Sequence, residues 1–115
     1  MLYKYNMSTA AADDRIFKAL ADSRRREILD LLKRRPRTTG ELCAHFARAL
    51  DRCTVMQHIA VLERAELLIA RREGRNRWNY LNAAPFRAIY ERWISAYAEH
   101  AVELLARMKR ELEGD

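Results

Sequence analysis

A chain of 115 residues, half of them hydrophobic, is long enough for one small domain with a packed core and little more. No apolar run has the length that spans a bilayer, no basic stretch leads into an apolar one at the N-terminus as in a signal peptide, and two cysteines are too few for a disulfide framework; a reducing, cytoplasmic setting is expected. The net charge of +6 is segregated: residues 24–77 carry fourteen basic and seven acidic side chains, whereas residues 1–23 balance at three each and residues 78–115 hold five basic against six acidic. Such a middle suits phosphate neutralisation, and near-neutral ends suit self-association.

Residues 1–9 read as a flexible extension and residues 10–115 as a single domain. A first helix is expected over Ala10–Ala21, with Ile16, Phe17 and Leu20 as its apolar stripe and Asp13 and Asp14 opposing the dipole in its first turn. Asp22-Ser23 breaks and caps. A second helix, Arg24–Arg34, buries Ile28, Leu29, Leu31 and Leu32 and stops at Lys33-Arg34-Arg35 ahead of Pro36. Thr38-Thr39-Gly40-Glu41 has the form of a capping box, so a third helix is predicted over Thr39–Ala47 with Leu42 and Phe46 inward.

Arg48-Ala49-Leu50 leads to a fourth helix in Asp51–Arg64, where Asp51 is a good N-cap. Val55, Ile59 and Leu62 share its buried face, and Cys53, Gln57 and Arg64 lie opposite, flanked by Thr54, Met56 and Ala60. Two short helices joined tightly, the second with a polar exposed face, make a helix-turn-helix over residues 38–65, although the usual turn glycine is missing. A hairpin follows over residues 67–81, with strands Leu67–Arg72 and Arg77–Leu81 about a Glu73–Asn76 turn. Its Arg71, Arg72, Arg75 and Arg77 suit a wing that grips phosphates; arginines also blunt a strand edge.

Asn82–Glu113 reads as one long helix, capped by Asn82 with Pro85 in its first turn. It runs about 45 Å at 1.5 Å per residue, against about 30 Å for the diameter of a globule of this size. Phe86, Ile89, Tyr90, Trp93, Ile94, Tyr97, Ala101, Leu104, Leu105, Met108 and Leu112 recur along it at helical spacing. So wide an apolar stripe points to a second copy of the chain, with Phe17 of the first helix assisting. The fold class is mainly α with a small β-hairpin wing, dimeric through the terminal helices.

The order helix, helix, helix-turn-helix, hairpin, long helix resembles the ArsR-type winged-helix transcriptional repressors. The likeness is carried by FKALADSRRREILDLL, TTGELCAHF, TVMQHIAVLERAELL and REGRNRWNYL, roughly Ile16–Leu81. It implies a cytosolic homodimer on an inverted-repeat operator in double-stranded DNA, and no membrane partner. On that reading Gln57 is the base-reading candidate, because its amide pairs bidentately with adenine. Thr54 and Met56 meet thymine methyls, Arg52 a phosphate or guanine, and Arg71, Arg72, Arg75 and Arg77 phosphates. Thr38 and Thr39 add a phosphate contact at a helix N-terminus, and His58 flanks the buried stripe, packed or facing phosphate.

Many members of that family release DNA on binding a metal. Where the family has Cys-x-Cys in its third helix, this chain has Cys43-Ala44-His45, and residues two apart on a helix diverge. His100 and Glu103 match half of the family's other site, but Arg87 and Ile89 stand where its first half should lie. No complete metal site and no cofactor is expected, and the inducer is not legible. Glu66 replaces a family glycine, at a cost of about 1 kcal/mol or a different turn. No phosphate loop or placed nucleophile suggests an enzyme. The alternatives are a metal- or redox-responsive repressor using Cys43 and His45 or Cys53, and a protein-interaction module docking through the last helix.

Overall fold

The computed structural model describes residues 7–114. In chain order these form α1 (Met7–Leu20), α2 (Ser23–Arg34), β1 (Arg37–Thr38), α3 (Thr39–His45), α4 (Arg52–Arg64), β2 (Leu68–Glu73), β3 (Asn76–Leu81), α5 (Ala84–Ile89) and α6 (Ser95–Glu113), with a π turn at Tyr90–Ile94 between the last two. They fall into two compact units, one running to Pro85 and the other starting at Phe86, where a single domain over residues 10–115 is the sequence expectation.

α1 starts three residues earlier than its periodicity suggests. Met7–Thr9 therefore belongs to its first turn, residues 1–6 of the expected extension lie outside the described residues, and Asp13 and Asp14 sit mid-helix. Ile16 and Ala19 are its buried residues, while Phe17 is exposed. α2 is capped by Asp22, whose carboxylate accepts from the main-chain N–H groups of Arg24 at 2.8 Å and Arg25 at 3.4 Å. Ile28, Leu29 and Leu32 are buried, and Leu31 is only half-buried. The helix ends where Arg35 turns extended ahead of Pro36.

The expected capping box opens α3: Thr38 Oγ1 accepts from the Glu41 N–H at 3.0 Å, and Glu41 accepts from the Thr38 N–H at 2.9 Å. α3 closes at His45, two residues short of expectation, and Phe46 O then accepts from the N–H groups of Ala49 at 2.9 Å and Leu50 at 2.8 Å. No positive φ is needed in that connection, so the missing turn glycine costs nothing. α4 packs Val55, Ile59 and Leu62 inward, as predicted.

Its C-terminus explains Glu66. The Glu66 N–H donates to Glu63 O at 2.9 Å and the Leu67 N–H to Leu62 O at 3.0 Å, the pair of bonds that defines a Schellman closure. That closure puts Glu66 at φ +62°, in the left-handed region where glycine is favoured. Leu62 and Leu67, the positions that commonly make an apolar contact in this closure, are both buried, and Asn82 Nδ2 donates to Glu66 O at 2.8 Å.

The wing is more than a hairpin. β1, unforeseen from sequence, joins β3 on the side away from β2, giving the antiparallel order β1-β3-β2. A two-stranded ribbon alone is marginal, and this third strand braces it. The ladder extends to Glu73↔Asn76, so the loop is Gly74-Arg75, with φ +62° at Gly74 alone, as in a type II′ turn.

In the second unit the long helix is interrupted without glycine or proline. The Ser95 N–H donates to Tyr90 O, five residues back, and the Ser95 hydroxyl donates to Glu91 O at 3.4 Å. A π turn needs no breaker residue, which is why the sequence carried no sign of it. It inserts one extra residue and so rotates the following stripe by about 100°.

Candidate nucleic-acid interface

α4 is held by its buried stripe, which leaves Arg52, Cys53, Met56, Gln57 and Arg64 exposed and Thr54 half-buried. Asp51 fixes the N-terminal end: its carboxylate accepts from the Thr54 N–H at 2.7 Å. That bond first, and the Thr54 hydroxyl second, hold the Asp51 carboxyl below the usual carboxylate range. Gln57 therefore stands in the second turn of a capped helix.

The next residue is used differently. His58 Nδ1 accepts from Arg25 Nη1 at 3.2 Å, and Arg25 also donates to Ala19 O at 2.8 Å and Lys18 O at 3.1 Å. Of the two roles open to His58, packing describes it: its ring is a strut between α4 and the α1–α2 corner. Burial tends to raise the Asp22 carboxyl there, but bonds from the Arg24 and Arg25 main chain, with the Arg25 charge, outweigh it and leave it lowered.

Two other predicted contact residues are also engaged within the chain. Thr39 is 9% exposed, and its Oγ1 accepts from Asn79 Nδ2 at 3.2 Å, so its hydroxyl is directed into the fold rather than toward a phosphate. Arg77 donates from Nη2 to Glu63 Oε1 at 2.5 Å and from Nη1 to Asn79 Oδ1 at 3.1 Å. It belongs to the body of the domain, unlike Arg71, Arg72 and Arg75, which are exposed along β2 and the turn. Thr38 is half-buried, with its hydroxyl committed to the capping box.

Asn79 lies outside the sequence expectation. The alternation Arg77-Trp78-Asn79-Tyr80-Leu81 suggests aromatic residues inward and polar ones outward. Instead Asn79 is 0% exposed, while Arg77, Trp78 and Tyr80 are all half-buried. The available signal was Leu81, which shares the Asn79 face by the two-residue period and pairs with buried Leu68.

The metal candidates do not assemble. His45 Nε2 lies 2.7 Å from Glu27 Oε2, Cys43 is half-buried, and His100 and Glu103 are exposed on α6. Among the described residues no three His, Cys, Asp or Glu side chains are grouped to hold an ion. Cys53 is an exposed free thiol. Of the residues predicted for self-association, Phe17, Tyr90, Trp93, Ile94, Tyr97, Leu104 and Met108 are exposed and Phe86 is half-buried. Ile89 is 4% exposed. Val102, Leu105 and Leu112 are exposed on α6 as well.

A family model described as a helix-turn-helix domain matches residues 20–71. The chain is similar to the transcriptional repressor SdpR of Bacillus subtilis, at 36% identity over 67 residues that cover 58% of this chain and 72% of the repressor. Among solved structures, an ArsR family transcriptional regulator is similar over 84% of this chain and 93% of its own, at 31% identity and a TM-score of 0.66. A homodimeric winged helix-turn-helix DNA-binding domain of Mycobacterium bovis is similar over 84% of this chain and 86% of its own, at 27% identity and a TM-score of 0.61.

Proposed function

The chain belongs to the ArsR-type helix-turn-helix transcriptional regulators, whose work is DNA binding rather than catalysis, and from that premise we propose that it is a homodimeric repressor acting on a near-palindromic operator. Each protomer lays α4 in a major groove. Gln57 reads a base edge, Arg52, Thr54 and Met56 flank it, and Arg71, Arg72 and Arg75 hold phosphates from the wing. Two-fold symmetry sets the half-sites about one or two helical turns apart.

The observation that carries this reading is the division of labour among the basic residues. Arg25 and Arg77 are consumed by internal bonds, whereas Arg71, Arg72, Arg75 and Arg52 remain exposed on the elements that the helix-turn-helix architecture turns toward DNA. Self-association is supported by the large apolar residues exposed on the second unit, with Tyr97 at 62% and Leu112 at 82% exposure, too many to leave in water. The solved relative that is a homodimer supports it independently. No helix among the described residues is long and apolar enough to cross a membrane. A cytoplasmic location belongs to the same proposal.

Gln57→Ala tests the base-reading role. Because the dimer loses two bidentate contacts of about 1–3 kcal/mol each, it is expected to cut the preference for the operator over random duplex by about thirtyfold or more while leaving random binding nearly intact. Equal weakening on both DNAs would remove Gln57 from base recognition.

A further inference from the structure

We propose that Asn79 and the Arg77–Glu63 ion pair are positioning residues for DNA recognition, fixing the wing at one angle to the recognition helix; this rests on the reading of α4 and the wing as DNA-binding elements. Asn79 is wholly buried and fully used. Its Nδ2 donates to Arg37 O and to Thr39 Oγ1, each at 3.2 Å, and its Oδ1 accepts from Arg77 Nη1 at 3.1 Å. The second terminal nitrogen of Arg77 meets the Glu63 carboxylate at 2.5 Å. One chain of bonds thus runs from β1 and the first residue of α3, through β3, to the last turn of α4. A buried amide in this state resists displacement, because any shift leaves a polar group unpaired away from water.

Two further features give the tie its importance. Glu63 and Arg77 line, together with Thr39, Met56, Ile59 and Ala60, a cleft of about 190 Å³ between α4 and β3. Side chains do not fill that space, so on the β3 side the recognition helix and the wing are joined by the polar tie, while buried Leu62, Leu67 and Leu68 pack the junction of α4 with β2. In addition, Arg72 stands directly across the ladder from Arg77. Two like charges so placed repel, and the Glu63 carboxylate offsets that repulsion while leaving Arg72 exposed. Asn79, Arg77 and Glu63 touch no base. They determine whether Gln57 and the wing arginines meet the same duplex at the same time.

Glu63→Gln in the full chain separates this role from simple electrostatics. It removes a negative charge near the DNA, so charge alone predicts tighter binding to any duplex. The substitution leaves Arg77 a neutral acceptor in place of a charged one, and the weakened tie predicts a different result for the operator: its affinity relative to random duplex falls about fivefold, and amide hydrogen exchange along β2 and β3 of the DNA-free protein speeds up with little change in melting temperature. Asn79→Ser is expected to act in the same direction; if that variant does not fold, Glu63→Gln alone decides. Unchanged exchange, or faster exchange with an unchanged affinity ratio, would overturn the proposal. Failure of the underlying DNA reading is seen separately, since the wild-type protein then prefers no duplex, and exchange still reports whether the tie holds the wing.

Discussion

Arg75→Ala is the most quantitative probe of the wing. Arg75 is the second residue of the two-residue turn between β2 and β3, exposed at the tip. In a DNA-bound dimer the substitution removes two cations. If each neutralises one phosphate, the slope of log affinity against log salt falls by about 0.9 per contact, or about 1.8 for the dimer. Across roughly 50 to 200 mM salt, the wild-type protein should then lose about 12-fold more affinity than the variant. Arg87→Ala supplies the control, because it changes net charge equally but removes a side chain bonded to Glu91 at 2.8 Å on α5. Titrating one duplex with both variants at four or five salt concentrations gives the two slopes. An unchanged slope for Arg75→Ala, or an equal change for Arg87→Ala, would refute the phosphate role of the wing tip.

Two stability predictions follow from the backbone and from the caps. Glu66→Gly relieves a left-handed side-chain-bearing residue at φ +62°, and the relief, less the added chain entropy of glycine, should stabilise the fold by about 0.5–1 kcal/mol; a lower melting temperature would contradict the Schellman closure. Asp22, Glu41 and Asp51 all have lowered carboxyl pKa values. A carboxyl lowered by folding stabilises fully above its unfolded pKa and ceases to as pH falls through its folded pKa, so stability should hold from neutrality to about pH 5 and decline below about pH 4. Asp51→Asn keeps a capping acceptor but no titrating group, and its acid decline should be shallower than that of the wild type; identical declines would remove Asp51 from the pH dependence.

Much of the architecture was legible because it rests on local signals. The capping box at Thr38 and Glu41, the N-cap Asp51 and the stripe Val55, Ile59 and Leu62 are each written within a few residues, and each stands where the sequence put it. Glu66 was legible as a departure from its family, and the structure gives its resolution: the left-handed conformation is kept, tied by Asn82. What escaped was long-range. β1 is only two residues long, and its pairing with β3 crosses about forty positions of sequence, so no periodicity marks it. Asn79 is polar by type and buried by partners, Arg37, Thr39 and Arg77, that no pattern in its own strand reveals.

The same limit shaped the candidate site. Exposed arginines and tied ones look alike in sequence, so Arg77 is grouped with Arg71, Arg72 and Arg75 until Glu63 is brought beside it. His58 likewise cannot be assigned between packing and phosphate until Arg25 is placed against its ring. The π turn at Tyr90–Ile94 is a backbone choice among residues that all favour helix, and it changes which apolar side chains after Ser95 continue the stripe begun by Phe86 and Ile89.

Selection of bound duplexes from a random pool, followed by the mass of the protein–DNA complex, bears most directly on the central claim that two copies of this chain present paired Gln57 helices to one operator. Enriched sequences with two related half-sites one or two helical turns apart, each duplex carrying two chains, are the expected result. A single unpaired motif on one chain, or no enrichment at low salt, would contradict it.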